Sequence, residues 1–172
     1  MAGAKADIPV QDEGVEGRQG MPDRDSVLAA LVADGQSLVH DQLPDLIGLA
    51  ETVATVARDD PRHPAGLVAA LIRVRTLLID QLRTEAGIVH PLIRLGGSPM
   101  LADMIRGIQA GQAEIERELD RMLSMTDGLK PPPDVTPSWA ALYVAIGVMA
   151  DRIRRRHALA RTDVYGPLVA EA

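Results

Sequence analysis

Gln81 and Glu85 stand four residues apart in a stretch where they alone interrupt an apolar series, Leu67, Leu71, Val74, Leu78, Ile88 and Leu92. Steps of three and four keep these positions on one helical face. A carboxylate on such a face points into an interior, where it is costly without a partner. A second series, Leu101, Ile105, Ile108, Gln112, Ile115, Leu119 and Met122, is polar only at Gln112. A third, Leu142, Ile146, Ile153, His157, Ala160 and Val164, carries His157, with Arg161 one turn on. His40 is the matching candidate in the first helical stretch. A carboxylate, two imidazoles and a guanidinium in apolar surroundings are the parts of an acid–base site. Glu85 or His157 would move a proton, and Arg161 would stabilise an enolate or similar anion. His40, Gln81 and Gln112 would add hydrogen bonds, with Ile108 and Ile153 as apolar wall.

These side chains need helices to hold them. Residues 1–24 are polar, rich in glycine and without periodicity, and are expected to form a flexible arm. Residues 25–172 form the expected domain. Its first helix opens at the Asp25-Ser26 cap and runs to about Arg58, with Gly35 and Pro44 inside it, so a bend is expected near Pro44. The DDPRHP run then makes a loop. Helix two covers roughly 64–94, bends near Pro91 and ends at Gly96 and Gly97. Helix three runs from about Pro99 to Met125, and helix four starts near Ser138 after a proline-rich crossing. Four amphipathic helices of similar length predict an all-α, antiparallel up-down-up-down four-helix bundle.

Composition narrows the function classes. The 172 residues include no cysteine, which excludes thiolate metal sites and cysteine nucleophiles. A formal net charge of −6 argues against nucleic acid as a partner. No apolar run approaches the roughly 18 residues that a membrane span needs, so no membrane partner is expected and the cytoplasm is the expected location. With no phenylalanine, the core must come from Leu, Ile, Val, Ala and Met. Arg152, Arg154, Arg155 and Arg156 face different ways on a helix and are expected to be mostly solvated. His63 is expected in an exposed loop, His90 and Tyr165 at a bundle end, and Trp139 over the other end of the core.

An internal echo adds to this reading. Gln81–Pro91, QLRTEAGIVHP, aligns without gaps to His157–Pro167, HALARTDVYGP. The duplicated helix resembles that of the hemerythrin-like, or HHE cation-binding, family over about residues 26–169. The resemblance implies a bundle holding two irons through histidines on all four helices and a carboxylate on the second and fourth. Carried over, Gln81 stands where a histidine is expected and Glu85 at the acid position. Gln112 replaces the third-helix histidine, His157 is kept, and Arg161 takes the second acid position. On the first helix the ligand position falls either on His40 or on Gly35, in the Ala33-Asp34-Gly35 run. A guanidinium cannot ligate a metal, so Arg161 is expected to face Glu85 and replace the metal's charge.

The leading expectation is a hemerythrin-like bundle that has lost its di-iron site and uses the central pocket on a small apolar molecule. Its chemistry would be cofactor-independent: an isomerisation, cyclisation or elimination. Two alternatives stay open. One is an oxygen or iron sensor or carrier with a reduced ligand set, His40, Glu85 and His157. The other is a non-catalytic bundle whose polar layer fixes helix register or serves a partner.

Overall fold

The computed structural model describes residues 23–170. The expected arm falls, apart from Asp23 and Arg24, outside the described residues. Among the described residues all regular structure is helical and forms four long helices. Helix α1 spans 24–56, α2 67–94, α3 Leu101–Met125 and α4 137–170. Helix α1 packs on α2 and α4, α2 on α3, and α3 on α4. No helix is long and apolar enough to cross a membrane.

The bends expected at Pro44 and Pro91 are present, and a third accompanies Pro167. Each takes the form of a π-helical turn just before the proline: Leu38–Gln42, Glu85–Val89 and Ala160–Tyr165. A proline has no N–H to return to the carbonyl four residues back, and its ring crowds that carbonyl. Widening the preceding turn by one residue accommodates both effects while the helix continues.

Helix ends follow local chemistry. Thr136 caps α4, its hydroxyl accepting from the Trp139 N–H at 3.4 Å, and Pro137 occupies the first turn, where no intrahelical N–H is needed. At the other end of the chain α1 begins at Arg24, so Asp25 lies in the first turn instead of capping it. There its charge favours the helix N-terminus, and it accepts from Arg94 Nε at 3.1 Å. Helix α2 ends as expected: Gly96, at φ 91°, lets the Gly97 N–H return to Leu92 O at 2.9 Å.

Buried apolar side chains form two clusters. The larger includes Leu43, Leu71, Leu78, Leu119, Met122, Ile146 and Ile153. Trp139 covers its end, in edge contact with Tyr143 and His63. His63 is therefore half-buried, not the free loop residue expected. The smaller cluster contains Leu28, Leu31, Val89, Ile93, Ile105, Ile108 and Val164. Between the clusters lies a layer of buried polar groups.

Candidate functional site

Glu85, fully buried, opens the π-turn of α2. Its Oε1 accepts from Gln81 Nε2 at 2.8 Å, one turn earlier on the same helix. Its Oε2 accepts from Arg156 Nη2, and both side chains of this ion pair are almost wholly inaccessible. Arg156 Nε also reaches Leu31 O of α1, at 3.4 Å. A buried guanidinium requires such a partner, and a charge-assisted bond of this kind is among the stronger ones available to it.

The cation beside Glu85 is thus Arg156 and not Arg161, which is exposed. Two causes separate them. The π-turn begins six residues before Pro91 but seven before Pro167, so the two copies of the echo do not present matching faces. A second guanidinium in the layer would also lack a carboxylate and carry a large desolvation cost. Sequence reasoning placed Arg156 among solvated arginines. The missed signal is that Met149, Ile153, Arg156 and Ala160 keep helical seam spacing, and all four are buried. Its neighbours diverge as helical geometry requires. Arg152 reaches Asp34 and Gln42 of α1 at 2.8 and 2.9 Å. Arg154 reaches Glu116 and Asp120 of α3 at 3.1 and 3.2 Å.

Gly35 makes room for this arrangement. A Cβ there would stand 2.3 Å from Leu82 Cδ2 and 3.2 Å from Arg156 Nε. Of the two first-helix positions, Gly35 lies against the polar layer. His40 does not: it is exposed, in a groove between α1 and α2 lined by Gln36, Ile79 and Arg83. The set His40, Glu85 and His157 is therefore not brought together.

The side of the layer facing α3 is different. His157 is 2% exposed, and neither ring nitrogen has a hydrogen-bond partner in the protein. Burial, helped by Arg156, pushes its pKa down to about 4, with Glu116 opposing. The imidazole is therefore neutral at physiological pH. Its Nδ1 lies 3.5 Å from Glu116 Oε1. Both amide atoms of buried Gln112 also lack protein partners. Ile108 is buried in the smaller cluster and Ile153 in the larger, one on each side of this layer.

Two more buried groups complete the layer, His90 and Tyr165, with the Tyr165 hydroxyl 3.5 Å from His90 Nε2. Burial lowers the His90 pKa. Burial first, and then nearby Glu85, raises that of Tyr165. The echo places both just before its two prolines.

Among the described residues no three His, Cys, Asp or Glu side chains gather as a metal site. Glu85 is engaged by a guanidinium, and no second carboxylate shares the buried layer. The donors present therefore do not fit the two-iron set that the family resemblance implies. What the layer does offer is a carboxylate tied to a cation on one side, and a neutral imidazole with unpaired carboxamide donors on the other.

No family model matches the chain. Curated proteins do. The chain is 34% identical over 112 residues to a Haemophilus influenzae protein named "Probable iron-sulfur cluster repair protein", covering 65% of this chain and 50% of that one. It is 34% identical over 108 residues to the iron-sulfur cluster repair protein YtfE of Musicola paradisiaca, covering 63% of this chain and 49% of that one. With YtfE of Dickeya chrysanthemi it shares 28% over 124 residues, covering 72% and 56%. The chain spans about half the length of these relatives. The similarity overturns two expectations drawn from the sequence, a bundle without iron running cofactor-independent acid–base chemistry and the absence of any cofactor. Repair of an iron–sulfur cluster is, by its name, chemistry of iron. The chain is thus an all-helical protein similar, over most of its described length, to iron–sulfur cluster repair proteins.

Proposed function

We propose that this chain is an iron-handling, hemerythrin-like bundle that works in the repair of iron–sulfur clusters, with iron as its cargo. The observation that carries the reading is the 34% identity over 112 residues to a protein named for that repair. Short connections at 57–66, 95–100 and 126–136 support an up-down-up-down course. The layer keeps an imidazole and a carboxamide, His157 and Gln112, without protein partners, and the chain has no thiolate.

The test is reactivation. An enzyme whose iron–sulfur cluster has been damaged by oxidation is incubated anaerobically with ferrous iron and thiol, with and without the full chain. Recovery should be faster with the chain present. Equal rates at stoichiometric chain would overturn the proposal.

A further inference from the structure

An open groove between α3 and α4, about 570 Å³ in volume, is lined by Gln109, Gln112, Glu116, Arg117, His157 and Arg161. Two of these side chains, Gln112 and His157, are more than nine-tenths buried and present polar atoms without protein partners. Native proteins keep few buried polar groups unmet without a use. Arg161 stands where the family resemblance implies an acid, and Gln112 where it implies a histidine. Those exchanges turn a set of cation donors into one that suits an anion. We infer that Gln112, His157, Arg117 and Arg161 form a binding site for a small hydroxy acid, with its carboxylate at the rim and its hydroxyl at the floor. The inference goes beyond the repair reading and does not rest on it.

Charge decides what the rim takes. Arg117 on α3 and Arg161 on α4 are both exposed and line the groove from its two walls. The carboxylates along this part of α3 are engaged by other arginines: Glu114 by Arg73, Glu118 by Arg121, and Glu116 and Asp120 by Arg154. Arg117 and Arg161 are therefore left without an ion-pair partner among the described residues. A guanidinium presents parallel N–H donors that match the two oxygens of a carboxylate, and such charge-assisted bonds are stronger than neutral ones.

The floor asks for a different group. A neutral imidazole carries one N–H and one bare nitrogen, and a carboxamide carries an NH2 and a carbonyl. An oxyanion would use only the donors, and its charge would lie beside Glu116, whose Oε1 is 3.5 Å from His157 Nδ1. Arg154 Nε holds the other oxygen of Glu116, Oε2, at 3.1 Å, which offsets that carboxylate without removing it from the groove. A hydroxyl both donates and accepts, so it meets His157 and Gln112 together and brings no second negative charge to Glu116. His157 and Arg161 are one turn apart on α4, which sets the hydroxyl and the carboxylate of one small molecule within reach of both. Arg161 then has a role at the rim of the site in place of the one expected for it at Glu85.

Calorimetric titration of the full chain with L-malate, without added metal, tests the site. Succinate, which lacks only the hydroxyl, and sulfate are the comparisons. Malate should bind once per chain and at least tenfold more tightly than either, because a site built around a hydroxyl rejects the analogue without it. Arg161→Gln and Arg117→Gln should each weaken malate at least tenfold. Both residues are exposed, so the variants should fold, and circular dichroism checks that. Arg155→Gln, exposed on α4 but lining a different groove, should leave binding within twofold. Gln112→Leu should bring malate close to the affinity of succinate, and the His157 ring protons should shift in NMR spectra as malate is added. No binding of malate, unchanged binding by both arginine variants, or malate no tighter than succinate would each overturn the site. Binding that appears only after ferrous ion is added would overturn it too, because the metal would then hold the acid. Failure of the reactivation assay sinks the repair reading alone, and failure of malate to bind sinks the site alone.

Discussion

The two sides of the polar layer differ in whether they hold a matched pair of charges. Toward α1 and α2, Glu85 has both oxygens engaged, by Gln81 and by Arg156, and Arg156 is further tied to a carbonyl of α1, while Gln81 Oε1 and Arg156 Nη1 are left without protein partners. Toward α3, Gln112 and His157 keep four polar atoms without protein partners beside a groove. The same residue types therefore serve two ends. Where opposite charges are matched and sealed, the layer is structure, and where neutral polar groups lie beside a groove, it is accessible.

The largest effect that would break this contrast is on the sealed side. Glu85→Gln strands a buried guanidinium and should cost about 3–5 kcal/mol in urea denaturation. Replacing both partners, as Glu85→Leu with Arg156→Met, should cost clearly less than the single change. If the single change costs nothing, the pair is not the structural half of the layer.

Acid should act mainly through the open side. His157 has a folded pKa of about 4, below its ordinary 6.5. Between these values the unfolded chain takes up a proton that the folded chain does not. Stability is therefore full above about pH 6.5 and falls as pH drops toward 4, at up to about 1.4 kcal/mol per pH unit. The lowered pKa of His90 adds a loss of the same sign. Urea midpoints at pH 7 and pH 5 should show the fall, and His157→Gln should flatten it.

Two smaller effects sharpen the comparison. Gly35→Ala should cost about 1–3 kcal/mol, because Leu82 and Arg156 must both shift. Gly48→Ala, which meets nothing within 4 Å on the exposed face of the same helix, should stabilise by about 0.5–1 kcal/mol. Last, Gln81→Leu removes a bond to Glu85 and should cost about 1.5 kcal/mol, while Gln112→Leu removes unpaired groups and should be close to neutral. Thermal melts of the four variants check both pairs. Equal effects at Gln81 and Gln112 would remove the distinction between the two sides.

The helices were legible because apolar residues recur at helical spacing and prolines and glycines mark the breaks. Observed limits of 67–94 and Leu101–Met125 lie within a few residues of those expected. The polar layer was legible at Gln81, Glu85, Gln112 and His157, each a lone exception in an apolar seam. Its pairing was not. Arg161 was matched to Glu85 through the echo, but a π-turn changes which face a residue occupies, and nothing in the residue types tells where such a turn begins. Arg156 was hidden among arginines that do reach solvent or the surfaces of other helices. His40 failed because α1 continues past it with its exposed face outward, while Gly35, which has no side chain, is the residue in contact with the layer.

The three π-turns also mark where the molecule changes from one core to the other. In α2 the widened turn spans the step from the larger to the smaller apolar cluster, in α1 it opens the larger cluster with Leu38 and Val39, and in α4 it opens the smaller one with Ala160. Only α3, of the four, crosses that boundary as unbroken α-helix, with Gln112 at the crossing. In mechanical terms the protein is two short blocks joined by three compliant hinges and one stiff strut. Amide hydrogens of the block around Val27, Ile93 and Val164 should therefore exchange together and sooner than those of the larger block, with the strut slowest at its centre. A ligand that gripped the strut and α4 together would brace the two blocks against each other.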